Sequence, residues 1–517
     1  MKKLTFVMTL MLAVLLASCS KNQGGRLIPD TAFAVFRLDV IKTMESTGMK
    51  GDDTSVKSQV ESLIKRAGLD KEVREKLLEI VDDPTSSGID FTEPVYVYFT
   101  ANGRSGVEVG VVGTTASKGD LTDAIKMLEG MDDDISLEEY ESNDVQYARL
   151  DRSTVIAFNG DWFYVGPVEG QSDWESQVES TIEDLLDRAD GNNNMEDNEA
   201  FKQMCERKGV MQIGIFGTGF DGLPGTSEMM RQLPEDCELK DIAGFVNLVI
   251  NKGEIVFEGE ALLMSEAWKK QLDLLTYNDI EKSQAKYADA EGALAIINAD
   301  PKDFYKYVRK FAESAGASRD DQEKLEELKP IFDAFTGQAT IAINKLKEDN
   351  EPEVVAYVGT RNNSLVEALL SNGGDNESVV KVDDDEYRIP IDYDYDYSDS
   401  IGDWTMTPTK FLNVGWKNNQ TYFMMNTDDE PFTTPRNSFS DVKGVGIYVR
   451  AAGKLLGMAV GSINDDAERA GMAVADIIDC IEFYMESPTK TIFRIVTKKK
   501  DKSPIVTVID YVKKNFQ

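Results

Sequence analysis

The chain has 517 residues, 41% of them hydrophobic and 9% aromatic, which is enough to build the cores of two or three domains. It carries 92 acidic and 56 basic residues, and the resulting formal net charge of -36 disfavours binding to nucleic acid. The sequence contains no histidine. This absence excludes Ser-His-Asp and Cys-His nucleophiles, histidine general bases and histidine-bearing zinc sites, and leaves lysine or carboxylate chemistry open.

The N-terminus has the three parts of a secretory signal. Lys2 and Lys3 give a positive start, and Leu4 to Leu16 form an apolar run that is shorter than the roughly 20 residues of a membrane-spanning helix. The motif Leu16-Ala17-Ser18-Cys19 is typical of lipoprotein signals. We therefore predict a cleaved signal peptide over 1–18 and a lipid on Cys19, followed by a flexible tether over 19–27.

The first half of the mature chain alternates between strand and helix patterns. A buried strand is predicted at 32–38, helices at 42–49 and 56–81, a hairpin from 95–100 and 107–114, and a helix at 120–129. A second hairpin joins 154–158 to 162–165 through Asn159-Gly160-Asp161, because Asn-Gly favours a tight turn.

A similar order of elements follows residue 290. A strand is predicted at 293–298, a helix at 302–312, a hairpin from 340–344 and 354–359, a helix at 364–371, and a hairpin that turns at Asn418-Asn419. Five apolar anchors in each half support the comparison, although few residues are identical. They are Val35, Val97, Tyr147, Ile213 and Val246 in the first half, and Ala295, Ile341, Tyr387, Ile447 and Ile481 in the second.

These patterns predict an α+β fold made of two tandem repeats of a similar domain. Each repeat is expected to be a mainly antiparallel sheet with helices packed on one face. The predicted domains are 28–276 and 291–517, and the polar stretch 277–290 is the predicted linker between them.

Clustered carboxylates make one stretch a candidate calcium site. Asp392, Asp394, Asp396 and Asp403 fall at positions 1, 3, 5 and 12 of an EF-hand count, and calcium prefers such oxygen ligands. Position 6 is Tyr397 where an EF-hand has glycine, and no helices are predicted beside the loop. The alternative is a solvated, poorly ordered insertion between two strands.

Three cysteines remain once Cys19 is lipidated, and a disulfide between Cys205 and Cys237 is one candidate. The odd number of cysteines favours free buried thiols as the alternative. The run Gly217 to Gly222 superficially matches a dinucleotide-binding turn, but Leu223-Pro224-Gly225 separates it from the next helix. We interpret it as a glycine-rich loop.

The lipoprotein motif, the segment Leu27-Ile28-Pro29-Asp30 leading into a strand and helix, and the closing hairpin and helix at 481–512 carry a resemblance. The chain resembles an uncharacterised family of Bacteroidota lipoproteins of about this length, known only as a domain of unknown function. The resemblance implies a Gram-negative outer-membrane lipoprotein and supplies no catalytic residues. Surface-exported lipoproteins of that phylum have acidic residues after the cysteine, and Ser20-Lys21-Asn22-Gln23 departs from this, which favours the periplasmic face.

The sequence as a whole favours a non-enzymatic binding or assembly protein that contacts the membrane through its lipid alone. Its expected partner is an unidentified envelope protein or glycan, with no cofactor. Two alternatives stay open: a carboxylate-based hydrolase of envelope glycans, since that chemistry needs two acids in the right geometry, and a calcium-dependent scaffold.

Overall fold

The computed structural model describes residues 23–48, 55–67, 69, 71–102, 106–129, 135–140, 144–151, 153–168, 173–234, 236–273, 276–314, 318–346, 351–372, 379–398, 403–427, 430–439, 441–463 and 467–516. These residues form two compact units. The first contains the described chain as far as Trp268 together with the C-terminal residues from Lys499 onward, and the second contains Lys269–Lys498. In sequence, the second unit is therefore inserted into the first.

The first unit is built on an antiparallel sheet whose strands are rich in valine, isoleucine and aromatic residues, the types that favour extended backbone. Its described strands are β1 (Ala32–Leu38), β2 (Val95–Asn102), β3 (Gly106–Thr114), β4 (Leu137–Glu139), β5 (Gln146–Arg149), β6 (Thr154–Phe158), β7 (Trp162–Pro167), β8 (Met211–Phe216), β9 (Ile242–Asn251) and β10 (Glu254–Leu263). Across the sheet their order is β4-β5-β6-β7-β3-β2-β1-β8-β9-β10. The first strand thus lies in the middle of the sheet.

Helices of the first unit come from both ends of the chain. Those described are α1 (Gln23–Arg26), α2 (Val40–Thr47), α3 (Ser55–Arg66), α4 (Lys71–Asp82), α5 (Lys118–Glu129), α6 (Trp174–Ala189), α7 (Glu199–Cys205), α8 (Thr226–Gln232) and α17 (Pro504–Phe516). Short 3-10 segments occur at Pro84–Ser87, Met195–Asp197, Gly217–Gly222 and Leu239–Asp241. A further helix, α9 (Glu266–Leu272), contains the boundary between the units.

Alternate residues of β6 and β7 face two separate cores. Val155 and Tyr164 pack against α6 and α7 on one side of the sheet, in what we call the first core. Phe158 and Phe163 pack against α3, α4 and α5 on the other side, in the second core. This period-two alternation is what a strand with both faces buried requires. Helices cover both sides of this part of the sheet, whereas one covered face was predicted, because β6 and β7 carry apolar side chains on both faces.

The second unit has a sheet with the same arrangement. Its described strands are β11 (Ala293–Asn298), β12 (Phe335–Leu346), β13 (Pro352–Thr360), β14 (Val380–Asp383), β15 (Glu386–Ser398), β16 (Asp403–Lys417), β17 (Gln420–Met425), β18 (Val445–Ala452), β19 (Ile478–Ser487) and β20 (Lys490–Thr497). Their order is β14-β15-β16-β17-β13-β12-β11-β18-β19-β20, and every neighbouring pair is antiparallel. Strand for strand, this is the order of the first unit.

Helices and an aromatic cluster complete the second unit. The described helices are α10 (Lys282–Ala285), α11 (Pro301–Ser314), α12 (Arg319–Glu327), α13 (Lys329–Ala334), α14 (Ser364–Asn372), α15 (Gly453–Gly461) and α16 (Glu468–Ile477). Phe432 lies within ring-contact distance of Tyr287, Tyr357 and Tyr422, and its backbone N–H donates to the Tyr357 hydroxyl at 3.0 Å. Tilted and edge-on aromatic contacts of this kind stabilise a core beyond the area that they bury.

The predicted α+β class and the antiparallel pairing are confirmed. The predicted hairpins are present as β2–β3, β6–β7, β12–β13 and β16–β17. Asn418 and Asn419 both have positive φ angles, 55° and 58°, as a tight hairpin turn requires. The five anchors of the first half lie on β1, β2, β5, β8 and β9, and those of the second half lie on the corresponding strands β11, β12, β15, β18 and β19.

Three predicted boundaries differ from the structure. Residues 23–27 of the predicted tether form α1 and a turn, and the Leu27 side chain is fully buried against the first core. The predicted linker 277–290 packs within the second unit, where Ala285 and Ala288 are fully buried. The last helix, α17, packs on α2 and α3 of the first unit, although 291–517 was predicted as one domain. In the first two cases, buried apolar residues lie within stretches that are polar overall.

The single helix predicted over 56–81 is wrong, because the structure has two helices there, α3 and α4. The sequence between them contains Gly68, and glycine costs about 1 kcal/mol relative to alanine inside a helix. Leu69 is buried between the two helices and packs in the second core of the unit.

Glycines at matching positions let the chain approach backbone closely in both units. Gly217 follows β8, and a Cβ there would lie 1.6 Å from the Leu239 carbonyl oxygen. Gly453 follows β18, and a Cβ there would lie 1.9 Å from the Ile478 carbonyl oxygen. In each unit the obstructing oxygen stands just before or at the start of the next strand in the sheet.

We expect Gly217→Ala and Gly453→Ala each to lower the free energy of unfolding by about 1–3 kcal/mol, since a backbone oxygen cannot move aside without disturbing a strand. Urea unfolding followed by circular dichroism measures the change. Gly160→Ala is the control, because no atom lies within 4 Å of a Cβ built there. Equal urea midpoints for the three variants would contradict the close approach.

The packing of the N-terminal segment gives a second prediction. Leu27→Ala should lower the free energy of unfolding by about 2–5 kcal/mol, as is typical for a buried leucine, whereas a flexible tether would tolerate it. Thermal unfolding measures the effect. Leu63→Ala is the matched control because 57% of the Leu63 surface is exposed, and a Leu27→Ala variant as stable as this control would refute the packed segment.

Candidate functional site

A polar cavity of about 480 Å³ opens on the first unit, where the segment before β1 meets β2, β3, β7 and α6. We call it the acidic cavity, after the carboxylates that line it: Asp30, Glu108, Asp184 and Asp187. Arg188 is the single basic residue in its lining. Its volume lies in the range of small-molecule sites.

Two tyrosines form the floor of the acidic cavity. Tyr98 on β2 lies opposite Gly110 on β3, and a Cβ at Gly110 would lie 2.4 Å from the Tyr98 ring. The absence of a side chain at Gly110 therefore leaves space for the buried Tyr98 ring to pack across β3. Tyr164 on β7 is also buried, and its hydroxyl donates to the Pro167 carbonyl at 2.8 Å. The floor is rigid, because each ring is packed in the core.

One wall of the acidic cavity is fixed by asparagines. The Asp187 carboxylate accepts from the side-chain amides of Asn192 and Asn193 at 2.8 and 3.1 Å. Asn194 donates its side-chain amide to the Arg188 carbonyl at 2.9 Å, and its backbone forms an isolated bridge with Pro29. These bonds tie the end of α6 to the segment before β1.

The cavity favours positive or hydroxyl-rich groups over anions. Arg188 forms an ion pair with Asp184 at 3.2 Å, so one of the four carboxylates is locally neutralised. Asp30 and Asp184 are exposed to solvent, while Glu108 and Asp187 are partly exposed. Within the described ranges, no group of three or more acidic or thiol side chains could hold a metal ion.

The predicted calcium residues lie on a pair of strands where a loop was expected. Asp392, Asp394 and Asp396 belong to β15, and Asp403 begins β16 opposite Ser398. Residues two apart along a strand are separated by about 6.6 Å, whereas calcium ligands lie within about 2.6 Å of one ion. The register therefore separates the backbone positions of Asp392 and Asp403 by several residue steps along the strands.

Asp392 has a different role in the structure. Its carboxylate lies 3.2 Å from the Lys410 ammonium, which is its partner across β16. A hydrogen bond from Lys410 and one from the Tyr393 backbone lower the pKa of Asp392. The alternation of Asp with Tyr is compatible with a strand because tyrosine favours extended backbone and successive residues of a strand point to opposite faces.

The candidate disulfide between Cys205 and Cys237 does not form, and both residues are free thiols. Cys205 ends α7 and lies in the first core, with its sulfur 4.0 Å from the Tyr96 hydroxyl. Cys237 lies in the turn before the 3-10 segment Leu239–Asp241. Cys19, the predicted lipid attachment site, lies outside the described residues.

The glycine-rich run after β8 is a 3-10 segment that packs against the sheet. A Cβ at Gly219 would lie 2.5 Å from the Phe33 backbone nitrogen, so this glycine is needed for close packing. The following helix, α8, begins after Gly225 without a side-chain cap. The interpretation as a loop in place of a dinucleotide-binding turn agrees with this packing.

Burial of the Cys205 thiol raises its pKa from 9.0 to about 11. Below the ordinary thiol pKa we therefore expect folded protein to react with iodoacetamide about a hundredfold more slowly at Cys205 than unfolded protein does, since only the thiolate reacts. The rate should rise with pH until about pH 11. Mass spectrometry of the alkylated peptide measures it.

The same experiment counts free thiols. Alkylation in guanidinium without reductant should label Cys205, Cys237 and Cys480, as three free thiols require. Label on Cys480 alone would reveal a disulfide between the other two and contradict the structure. Folded Cys205→Ser supplies the background rate for the remaining thiols.

Comparison with known proteins identifies one matching family. Residues 25–395 match the family model described as "Domain of unknown function (DUF4836)". The match includes the sheet of the first unit and extends through most of β15 in the second. No curated protein and no solved structure matches the chain.

Proposed function

The chain belongs to the DUF4836 family, and we propose that it is a non-enzymatic, lipid-anchored binding or assembly protein of the cell envelope. The observation that carries this proposal is the acidic cavity, which is open, rigidly floored and lined by solvent-accessible carboxylates. Such a lining suits recognition of a cationic or hydroxyl-rich group. A lysine, an arginine or an amino sugar of an envelope partner has this chemistry.

The anchor in this proposal is the lipid on Cys19, on the periplasmic face of the outer membrane. The lipoprotein motif supports it, as does the absence of acidic residues directly after the cysteine. None of the helices in the described ranges is both long and apolar enough to cross a bilayer. In this proposal the lipid is the membrane contact. The negative net charge of the chain disfavours nucleic acid as a partner.

We also infer that the two units are repeats of one fold. Their strand orders are the same, and in each unit a four-residue helix followed by an isolated bridge precedes the first strand. The close-approach glycines Gly217 and Gly453 occupy matching places. A repeated sheet of this kind is a scaffold, and its function lies in the sites placed on it.

The two alternatives remain distinguishable by experiment. Four carboxylates in one cavity are the feature that favours a glycan hydrolase, and release of reducing sugar from envelope glycans by the purified chain would establish it. A calcium-dependent scaffold would give heat when the chain is titrated with millimolar calcium chloride. The dispersed positions of Asp392 and Asp403 argue against a single calcium ion there.

Crosslinking in intact cells tests the proposal. We expect a partner to be captured with the full-length wild-type chain and its recovery to fall several-fold with Asp30→Asn combined with Glu108→Gln, because both carboxylates line the acidic cavity. Quantitative mass spectrometry of the captured material measures the recovery.

The matched control is Asp123→Asn combined with Glu179→Gln, which removes two exposed carboxylates outside the cavity. Equal recovery with both double variants would show that the cavity is not the binding site. Capture of envelope glycan that the chain cleaves would replace the proposed binding function with hydrolysis.

A further inference from the structure

A second cavity on the first unit has the opposite charge. It has a volume of about 620 Å³ and is lined by four lysines, Lys42, Lys208, Lys252 and Lys502, and by only two acids, Glu45 and Asp501. We call it the basic cavity. Its lining carries a net positive charge in a chain whose formal charge is -36, so this part of the surface attracts anions where most of the chain repels them.

Backbone hydrogen bonds bring the four lysines together from distant parts of the sequence. The Asp39 N–H donates to the Val210 carbonyl at 2.9 Å, which fixes the start of α2 beside the segment that carries Lys208. The Val210 N–H donates to the Leu248 carbonyl at 2.7 Å, which adds β9. The walls of the basic cavity are therefore set by main-chain contacts.

A contact at the tip of the β9–β10 hairpin positions the remaining lysines, Lys252 and Lys502. The Gly253 N–H donates to the Lys502 carbonyl at 2.8 Å, next to Lys252. Gly253 has a φ of 80°, and a Cβ there would lie 2.9 Å from the Lys500 Cα. Only glycine combines this backbone conformation with such a close approach, so the chain holds Lys252 and Lys502 beside each other.

Two of the four ammonium groups already have acidic partners. Lys42 lies 2.6 Å from Asp39, and Lys502 lies 2.9 Å from Asp510. Lys208 and Lys252 form no ion pair with any described residue. Their charge is thus available to a ligand.

The N-terminal end of α17 brings a further hydrogen-bond donor to the basic cavity. Ser503 lines the cavity and caps the thirteen-residue helix α17, whose first-turn Thr507 N–H donates to the Ser503 carbonyl at 2.9 Å. The Ser503 hydroxyl oxygen is enclosed and has no hydrogen-bond partner among the described residues. The N-terminal end of a helix carries partial positive charge, and a hydroxyl is a common phosphate ligand.

We propose that the basic cavity binds a phosphate group, carried by a small solute or by a lipid headgroup. Lys208 and Lys252 supply charge, and the Ser503 hydroxyl supplies a neutral donor. Lys42 and Lys502 are held in place by their carboxylate partners, which locally neutralise their charge. This site is independent of the acidic cavity and of the partner proposed for it.

The test uses the mature chain from Cys19 with Cys19→Ser, so that the protein carries no lipid. Inorganic phosphate is titrated by calorimetry, and binding to phosphatidylcholine vesicles with and without phosphatidylglycerol is measured by co-sedimentation. We expect phosphate or the phosphatidylglycerol vesicles to bind. Lys208→Gln combined with Lys252→Gln should weaken that binding about tenfold or more, because charge-assisted contacts are lost.

Lys126→Gln combined with Lys417→Gln is the matched control, since both lysines are exposed and lie outside the cavity. Binding of phosphate in solution identifies a site for a free phosphate group, and binding to phosphatidylglycerol vesicles alone identifies a headgroup site. The proposal is overturned if wild-type protein binds neither probe, or if the control pair weakens binding as much as the cavity pair. Circular dichroism verifies that both double variants fold. Partner capture through the acidic cavity is unaffected by any of these results.

Discussion

Each unit depends on its first strand, which lies at the centre of the sheet and joins segments that are far apart in sequence. In the first unit Arg37 on β1 donates to Gln212 on β8, 175 residues later, and the row continues through Asn247 to Glu258. Gln212 is fully buried, so a shift of one residue would leave its amide without partners. This row of polar side chains fixes the register of the strands. The register in turn sets the positions of the walls of both the acidic and the basic cavity.

Local patterns in the sequence predicted the strands, the hairpins and the correspondence between the halves, because alternation of apolar residues and Asn-rich turns act over a few residues. The cavities could not be predicted in that way. Lys42, Lys208 and Lys502 meet only through pairings across the whole first unit. The Asp/Tyr stretch was interpreted as a loop because of its high charge. It forms part of β15, in agreement with its alternation of residue types, which is a strand pattern.

Net charge is a poor guide to what such a molecule can bind. The acidic and basic cavities belong to the same unit, and each is dominated by its own lining. At physiological ionic strength the field of an exposed charge is screened within about 8 Å. A ligand inside the basic cavity therefore responds mainly to Lys208 and Lys252, whatever the total of 92 acidic residues. Opposite local charges allow one unit to recognise two chemically different groups.

The return of the chain to its first unit has a consequence for biosynthesis. A polypeptide emerges from its N-terminus, yet α17, the final helix, packs on α2 and α3 near the beginning. Val506 is buried in that contact region, so an incomplete chain exposes the apolar surface that it covers. The first unit therefore finishes folding only after the entire second unit has been synthesised. Until then the apolar surface that α17 covers stays exposed, and exposed apolar surface of this kind makes an incomplete chain prone to aggregation.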